Sequence, residues 1–265
     1  MGKIRLVIAD VDGTLLTPGK VLTDRAMSAV RRLRDAGIAF AITSGRPPRG
    51  LSMLLGRLEL TTPIAAFNGG MLVGPDLSPI EEQILPTRLV GPLIEALERC
   101  GLDVWVYRGA DWFVRNVHAP HVAREERTVG FAPAVVQGFD RLHERVVKIV
   151  GVGDDVPLVA RTEAQVREQF GDHVSAARSQ PYYLDVTHPN ANKGAVVKRL
   201  SELLAIPAEA IATLGDMPND VLMFALSGLS IAMGNASREV QRAARRVTSS
   251  NEDEGFALAI ERYVL

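Results

Sequence analysis

Ile4-Arg5-Leu6-Val7-Ile8-Ala9-Asp10-Val11-Asp12-Gly13-Thr14-Leu15 is the most informative stretch of the chain. Its first half is a nearly continuous apolar run, which suits a strand covered on both faces of a sheet. The run ends on two carboxylates two positions apart, and Gly13 lets the chain turn at once. Strand periodicity sends Asp10 and Asp12 to one side. An EF-hand calcium loop is excluded, because it needs further acids downstream and a Glu at its twelfth position. In open α/β sheets, ligands bind beyond the carboxyl ends of the strands.

The same pattern continues outward. Thr23 is placed to cap a helix whose apolar face is Ala26, Val30 and Leu33, with Gly37 at its end. A strand over 38–43, a helix over 50–58 and a strand over 64–67 follow. This strand–helix order predicts parallel strands with right-handed crossovers. It returns after Asn192 with a helix over 194–205, a buried strand over 211–214, a helix after Pro218 and a strand over 229–232. Between these halves the character changes. Strands over 103–107 and 111–115 are separated by three residues, a hairpin signal, and helices are expected over 87–100, 120–129 and 157–170. Further strands are expected over 146–150 and 182–187. The expected architecture is α/β: a Rossmann-like parallel-sheet domain from residues 1–82 and 186–265, interrupted by an α+β domain over 83–185.

Three more groups of polar residues fall at strand ends or helix starts. Thr43-Ser44-Gly45-Arg46 closes the second strand and offers hydroxyls and backbone N–H groups to an anion. Lys193, in Asn192-Lys193-Gly194, opens a helix, where its charge opposes the helix dipole and an anion would relieve the conflict. Gly215-Asp216-Met217-Pro218-Asn219-Asp220 follows a buried strand; capping explains one of its acids but not Asp216, Asn219 and Asp220 together.

The composition narrows the classes of function. Of 265 residues, 47% are hydrophobic and 23% charged, the balance of a globular protein with a substantial core. A formal net charge of −1 gives no electrostatic case for nucleic acid or an anionic membrane as partner. No segment reaches the roughly 20 apolar residues of a membrane span, and the N-terminal apolar run is too short for a signal peptide. The single cysteine, Cys100, forms no intrachain disulfide, which fits a reducing, cytoplasmic setting.

Taken in order, the acidic pair, the hydroxyl motif, the lysine and the acidic cluster resemble the haloacid dehalogenase superfamily of phosphohydrolases, and the resemblance covers the whole chain. The insertion between the hydroxyl motif and the lysine is similar to that of the C2-capped members. Asn68-Gly69-Gly70 and Gly215–Asp220 resemble the Cof-type subgroup, class IIB. The resemblance implies a phosphatase with Asp10 as nucleophile, passing through an aspartyl-phosphate, and Asp12 as general acid and base. It implies Mg²⁺ held by Asp10, the backbone carbonyl of Asp12 and Asp216, in a shell oriented by Asn219 and Asp220. Ser44, Gly45 and Lys193 would hold phosphoryl oxygens, with Thr43, Arg46, Asn68 and Gly69 beside them. The subgroup usually carries Thr before Gly-Arg; here Ser44 stands there, and Thr43 is placed to share its role. The insert would be a mobile cap, with Arg115, His118, Lys148 and Tyr182 as positional candidates for substrate contact and His188 no better placed. The implied substrate is a small phosphorylated metabolite, a sugar phosphate or a phosphorylated organic acid such as phosphoglycolate. A phosphomutase and a receiver-like phospho-acceptor domain are the alternatives; the oligomeric state is left open, monomer or homodimer.

Overall fold

The computed structural model describes residues 3–265, so the first two positions of the 1–82 segment lie outside the described residues. The chain begins with β1 (Leu6–Asp10), α1 (Asp24–Asp35), β2 (Ala39–Thr43), α2 (Ser52–Leu58), β3 (Ile64–Ala66), β4 (Met71–Val73) and β5 (Pro79–Glu82). The middle contributes α3 (Thr87–Arg99), β6 (Asp103–Arg108), β7 (Asp111–Val114), α4 (Val122–Val129), β8 (Ala134–Val135), β9 (Val146–Val152), α5 (Val156–Phe170), β10 (Ser175–Gln180) and β11 (Tyr183–Thr187). The last part comprises α6 (Lys193–Leu204), β12 (Ile211–Gly215), α7 (Val221–Phe224), β13 (Leu229–Ala232), α8 (Arg238–Ala243), β14 (Arg246–Val247) and α9 (Gly255–Ala259).

These strands form two sheets. The first runs β14-β13-β12-β1-β2-β3-β4-β5. It is parallel from β14 to β3, and β4 and β5 extend it as an antiparallel hairpin. β1 lies inside this sheet, and its residues alternate between two cores. Val7 and Ala9 face the side that holds α1, α2 and α9, while Leu6 and Ile8 face α6, α7 and α8. Burial on both faces is why β1 reads as an unbroken apolar run. Thr23 caps α1 by accepting from the N–H of Ala26 at 3.1 Å.

The second sheet runs β10-β11-β9-β6-β7-β8, antiparallel except for the short β7–β8 pair. Its outer face carries Val104, Val106, Ile149, Leu184 and Val186 against α3 and α5. Its inner face carries Trp105, Tyr107, Trp112 and Tyr183, which join the apolar cluster of the first sheet. Phe67 meets Tyr107 edge-on at 5.4 Å between ring centres, and α4 reaches the first sheet's surface, where a Cβ on Gly50 would lie 3.3 Å from Val129.

Several local expectations change. β3 stops at Ala66 because Phe67 and Asn68 both take positive φ, 51° and 56°. The helix expected from residue 50 starts at Ser52, after a single 3₁₀ turn over Pro48–Leu51 that follows Pro47. β11 starts at Tyr183, one residue later than the strand expected over 182–187, and ends with it at Thr187. β4, β5, β8 and β10 were not expected from sequence.

Candidate active site

Asp10 is the last residue of β1 and is 5% exposed. β12 pairs in parallel with β1, so the turn after Gly215 delivers Asp216 and Asp220 to the same strand end. Two glycines make this convergence possible. A Cβ on Gly13, where φ is +89°, would lie 2.3 Å from Asp216 Oδ2, and one on Gly215 would lie 2.3 Å from the Asp220 carboxyl carbon. Asp10, Asp216 and Asp220 each offer an oxygen within 4.8 Å of the others'.

Lys193 begins α6, whose cap is Asn192, accepting from the N–H of Ala195 at 2.9 Å. Its buried ammonium donates to Asp10 Oδ1 and Asp220 Oδ1, both at 2.5 Å. Asp220 is held from its other oxygen by the N–H groups of Asp216 and Met217, both at 2.9 Å. Asp216 accepts from Thr14 Oγ1 at 3.0 Å and from Asn235 Nδ2 at 3.2 Å.

The electrostatics follow from three buried carboxylates against one ammonium. Burial, then Asp220 and Asp216, push the Asp10 carboxyl well above the usual range, opposed by Lys193. Asp216 is pushed up to about 6 by burial and by Asp220, opposed by the Thr14 hydrogen bond and Lys193. Burial works against the charge of Lys193, but Asp10 and Asp220 outweigh it and hold the ammonium protonated. Hard oxygen donors with an excess of negative charge are the donor set that a divalent cation such as Mg²⁺ takes. The three aspartates therefore fit a metal, and the excess negative charge is what such an ion would neutralise.

Asp12 turns to a different set of partners. Arg46, itself buried, donates to both its oxygens, from Nε at 2.7 Å and Nη2 at 2.6 Å, and Lys20 donates at 2.6 Å. Burial alone would raise the Asp12 carboxyl, but Arg46 and Lys20 hold it below its ordinary value. The Asp12 side chain is thus engaged by cations and is not among the three gathered carboxylates.

The β2 end and the β3 end are tied together. Asn68 N–H donates to Ser44 O at 2.7 Å, and Phe67 N–H donates to Arg46 O at 3.0 Å. Gly45 is exposed at this turn, and a Cβ on it would lie 3.4 Å from Asn68 Nδ2. Gly69, at φ +101°, lies against the start of α6, where a Cβ would come 3.1 Å from Asn192 O. Ser44, Gly45, Asn68 and Gly69 are therefore gathered near Lys193. The hydroxyl of Thr43 and Oδ1 of Asn68 are buried without a hydrogen-bond partner. Asn219 is exposed on the turn over Pro218–Asp220, next to the buried Asp220.

The cap candidates separate by face. Arg115 pairs with Glu98 of α3 and lies 4.9 Å from the Phe139 ring, on the outer, helix-covered side, so it is removed from the site. His118 is exposed in the loop after β7. His188 sits in a turn after β11, where its Nδ1 accepts from Asn190 N–H at 3.1 Å. Tyr182 stacks on His121 with ring centres 4.1 Å apart. Lys148 is on the inner face, paired with Asp185 at 2.6 Å. Cys100 lies near Gln165, away from the carboxylates. Sequence reading missed Thr14, Lys20, Glu125 and Asn235. Asn235 carried the same signal as the residues that were found, a polar side chain just past a buried strand.

A family model described as haloacid dehalogenase-like hydrolase matches residues 7–260. The chain is 28% identical to a Bacillus subtilis 5-amino-6-(5-phospho-D-ribitylamino)uracil phosphatase, over 97% of each chain. A crystal structure of a haloacid dehalogenase-like hydrolase from Bacteroides thetaiotaomicron superposes with a TM-score of 0.90 at 29% identity, covering 98% of this chain and 99% of that one. A subclass IIB sugar phosphatase of the same superfamily shares the fold, with a TM-score of 0.83 at 20% identity, covering 98% of each chain.

Proposed function

The chain belongs to the haloacid dehalogenase-like hydrolase family, and from that membership we propose that it is a phosphatase acting on a small phosphorylated metabolite through an aspartyl-phosphate on Asp10. The observation that carries this reading is the convergence of Asp10, Lys193, Asp216 and Asp220 at the carboxyl ends of adjacent parallel strands. Asp10 Oδ attacks phosphorus, a new O–P bond forms, and the ester O–P bond breaks. Asp12, once released from Arg46 and Lys20 and protonated from solvent, gives that proton to the departing oxygen, then takes one from the water that cleaves the acyl phosphate. To do so, Asp12 exchanges its bonds to Arg46 and Lys20 for the reacting oxygens. Ser44, the Gly45 N–H and Lys193 bind the phosphoryl oxygens, where charge stabilisation is most of the catalysis. Thr43, Arg46, Asn68 and Gly69 support that cradle. Mg²⁺, held by Asp10, Asp216 and the Asp12 carbonyl with Asp220 and Asn219 nearby, would supply positive charge against the phosphoryl group.

Residues 83–185 act in this reading as a cap that excludes water and selects the leaving group. The substrate is a sugar phosphate or a phosphorylated organic acid such as phosphoglycolate. A phosphatase name on the Bacillus subtilis relative supports a small-molecule substrate. We place the enzyme in the cytoplasm on its single cysteine; no helix among the described residues is long and apolar enough to cross a membrane.

The test is a phosphate-release assay over sugar phosphates, phosphoglycolate and nucleotides, with Mg²⁺ and with EDTA, for the wild type and Asp10→Asn. Release that depends on Mg²⁺ and on Asp10 is the expected result. Isomerised sugar phosphate in place of free phosphate, or more than a few per cent of wild-type kcat in Asp10→Asn, overturns the reading.

A further inference from the structure

The turn after β13 reaches the acidic cluster, and the catalytic steps do not use what it carries. β13 runs parallel to β12 with Ala232 opposite Gly215, and the Met233 N–H donates to Gly215 O at 3.0 Å. Asn235 is thereby brought beside Asp216. Gly234 allows the turn to lie against the loop over 248–251: its N–H donates to Ser249 O at 2.9 Å, and a Cβ on it would lie 2.7 Å from Ser250 N.

Asn235 is exposed, and an exposed amide is ordinarily left to water. This one makes three bonds within the protein. Its Oδ1 accepts from the Asn251 N–H at 3.0 Å, and its Nδ2 donates to Asp216 Oδ2 at 3.2 Å and to Gly13 O at 3.0 Å. An N–H only donates, and a carboxylate and a carbonyl only accept, so the reversed amide would lose all three. Asn251 therefore decides which end of Asn235 faces the carboxylate. Asn251 is itself buried, and its side chain donates to Leu16 O at 2.8 Å. The two amides thus tie the loop after β1, at Gly13 and Leu16, to Asp216.

Lys193 bonds Asp10 and Asp220, whereas Asp216 takes Thr14 on Oδ1 and Asn235 on Oδ2. One bond to each oxygen fixes the rotation of the carboxyl group, and each oxygen keeps a lone pair for a further partner. Resting on the reading above in which Asp216 holds Mg²⁺, we propose that Asn235 is a positioning residue for that ion. It acts through Asp216 and through the Gly13 carbonyl, which fixes the chain following Asp12, and Asn251 locks its amide in the required sense. Without Asn235 the Asp216 carboxylate keeps its charge but is held at Oδ1 alone. Loss of a partner that orients a metal ligand weakens metal binding by about 10- to 100-fold.

The test titrates Mg²⁺ into the full-length protein after EDTA treatment and dialysis, followed by calorimetry without substrate. Asn235→Ala should raise the Mg²⁺ Kd by about 10- to 100-fold, while kcat extrapolated to saturating Mg²⁺ falls by no more than about threefold. A merely structural side chain would lower the unfolding temperature in EDTA and leave the Kd where it was, so the Kd is the deciding readout. Asn251→Ala keeps the N–H that orients Asn235 and removes the bond to Leu16, so the Kd should rise less, by about threefold to tenfold. It decides the matter should Asn235→Ala fold poorly by circular dichroism. A Kd within about twofold of wild type in Asn235→Ala, or in Asn251→Ala where only that variant folds, overturns the assignment and leaves the phosphatase reading intact. A wild type that takes up no Mg²⁺ also overturns it, and if phosphate release is equally fast in EDTA the metal reading falls with it.

Discussion

The carboxyl end of the first sheet and the inner face of the second meet across the same space, yet they are assembled in opposite ways. At the first, each functional group comes from a short contiguous motif: Asp10 to Thr14 after β1, Thr43 to Arg46 after β2, Asp216 to Asp220 after β12. Parallel strands end together, so consecutive residues of separate motifs become neighbours. At the second, Tyr107, Lys148, Tyr183 and Asp185 are scattered through the chain and meet only through antiparallel register. On the proposed function, the first region would recognise what all phosphate esters share, and the second only what distinguishes them. One expects the first to fail absolutely when altered and the second to fail selectively.

The largest expected effect tests the first half of that contrast. Lys193→Met leaves Asp10 and Asp220 buried without their shared cation. Activity should fall by about a hundredfold or more, as when one donor to a developing oxyanion is lost. Stability should fall by about 3 kcal/mol, the lower end for breaking a buried ion pair, because the carboxyls escape part of the cost by taking up a proton. Urea unfolding measures this. Adding Asp220→Asn should restore much of the stability and none of the activity. Recovery of both would mean that Lys193 only balances charge.

Asp216→Asn should separate function from stability. In the folded, metal-free protein the Asp216 carboxyl is pushed up to about 6, above its ordinary value of 3.8. Above that folded value the carboxylate is charged in both states, and the folded state carries the penalty. As pH falls through about 6 the folded protein takes up the proton first, and the penalty disappears by the ordinary carboxyl value. Asn removes the penalty at neutral pH while still accepting from Thr14. EDTA-treated Asp216→Asn should therefore be more stable than the wild type at pH 7, by about 1–3 kcal/mol, and equally stable near pH 4. It should also lose Mg²⁺-dependent activity. Thermal unfolding at the two pH values checks the sign, and a variant less stable at pH 7 than the wild type would show that Asp216 is not under electrostatic strain.

The same contrast explains what sequence could reveal. Asp10, Asp216 and Lys193 stood out because polar residues directly followed buried apolar runs or opened a helix. Thr14 and Asn235 obeyed the same rule but are common turn residues, so only the fold shows them meeting at Asp216. The strands that escaped notice are short or exposed: β5 carries Pro79 and two glutamates at the sheet edge, and β10 is the polar edge strand Ser-Ala-Ala-Arg-Ser-Gln. Neither presents the apolar alternation that marks a strand. Lys148 was found by position alone. Glu125 went unnoticed because one acid on a charged helix face carries no signal until Tyr107 is seen to donate to it.

Arg115→Ala should give the smallest effect, and it bears directly on the division between faces. Position in sequence made Arg115 as good a candidate for substrate contact as Lys148. The two fall on opposite sides of the second sheet: Lys148 faces the catalytic groups, and Arg115 covers Phe139 and pairs with Glu98 where α3 packs. The pair is partly exposed, with side chains 44% and 32% accessible, so solvent screens most of its attraction. Losing it together with the contact to the Phe139 ring should cost no more than about 1 kcal/mol of stability. The substrate preference should not move, because nothing on the outer face reaches the leaving group. The ratio of kcat/KM for the best substrate to that for p-nitrophenyl phosphate should stay within about twofold of wild type, against about tenfold or more for Lys148→Ala. If Arg115→Ala shifts that ratio as far as Lys148→Ala does, preference is set by the rigidity of the whole second sheet rather than by the groups on its inner face. A shift in the ratio for Lys148→Ala alone locates selection on the inner face, with the outer helices serving only to hold the sheet in place.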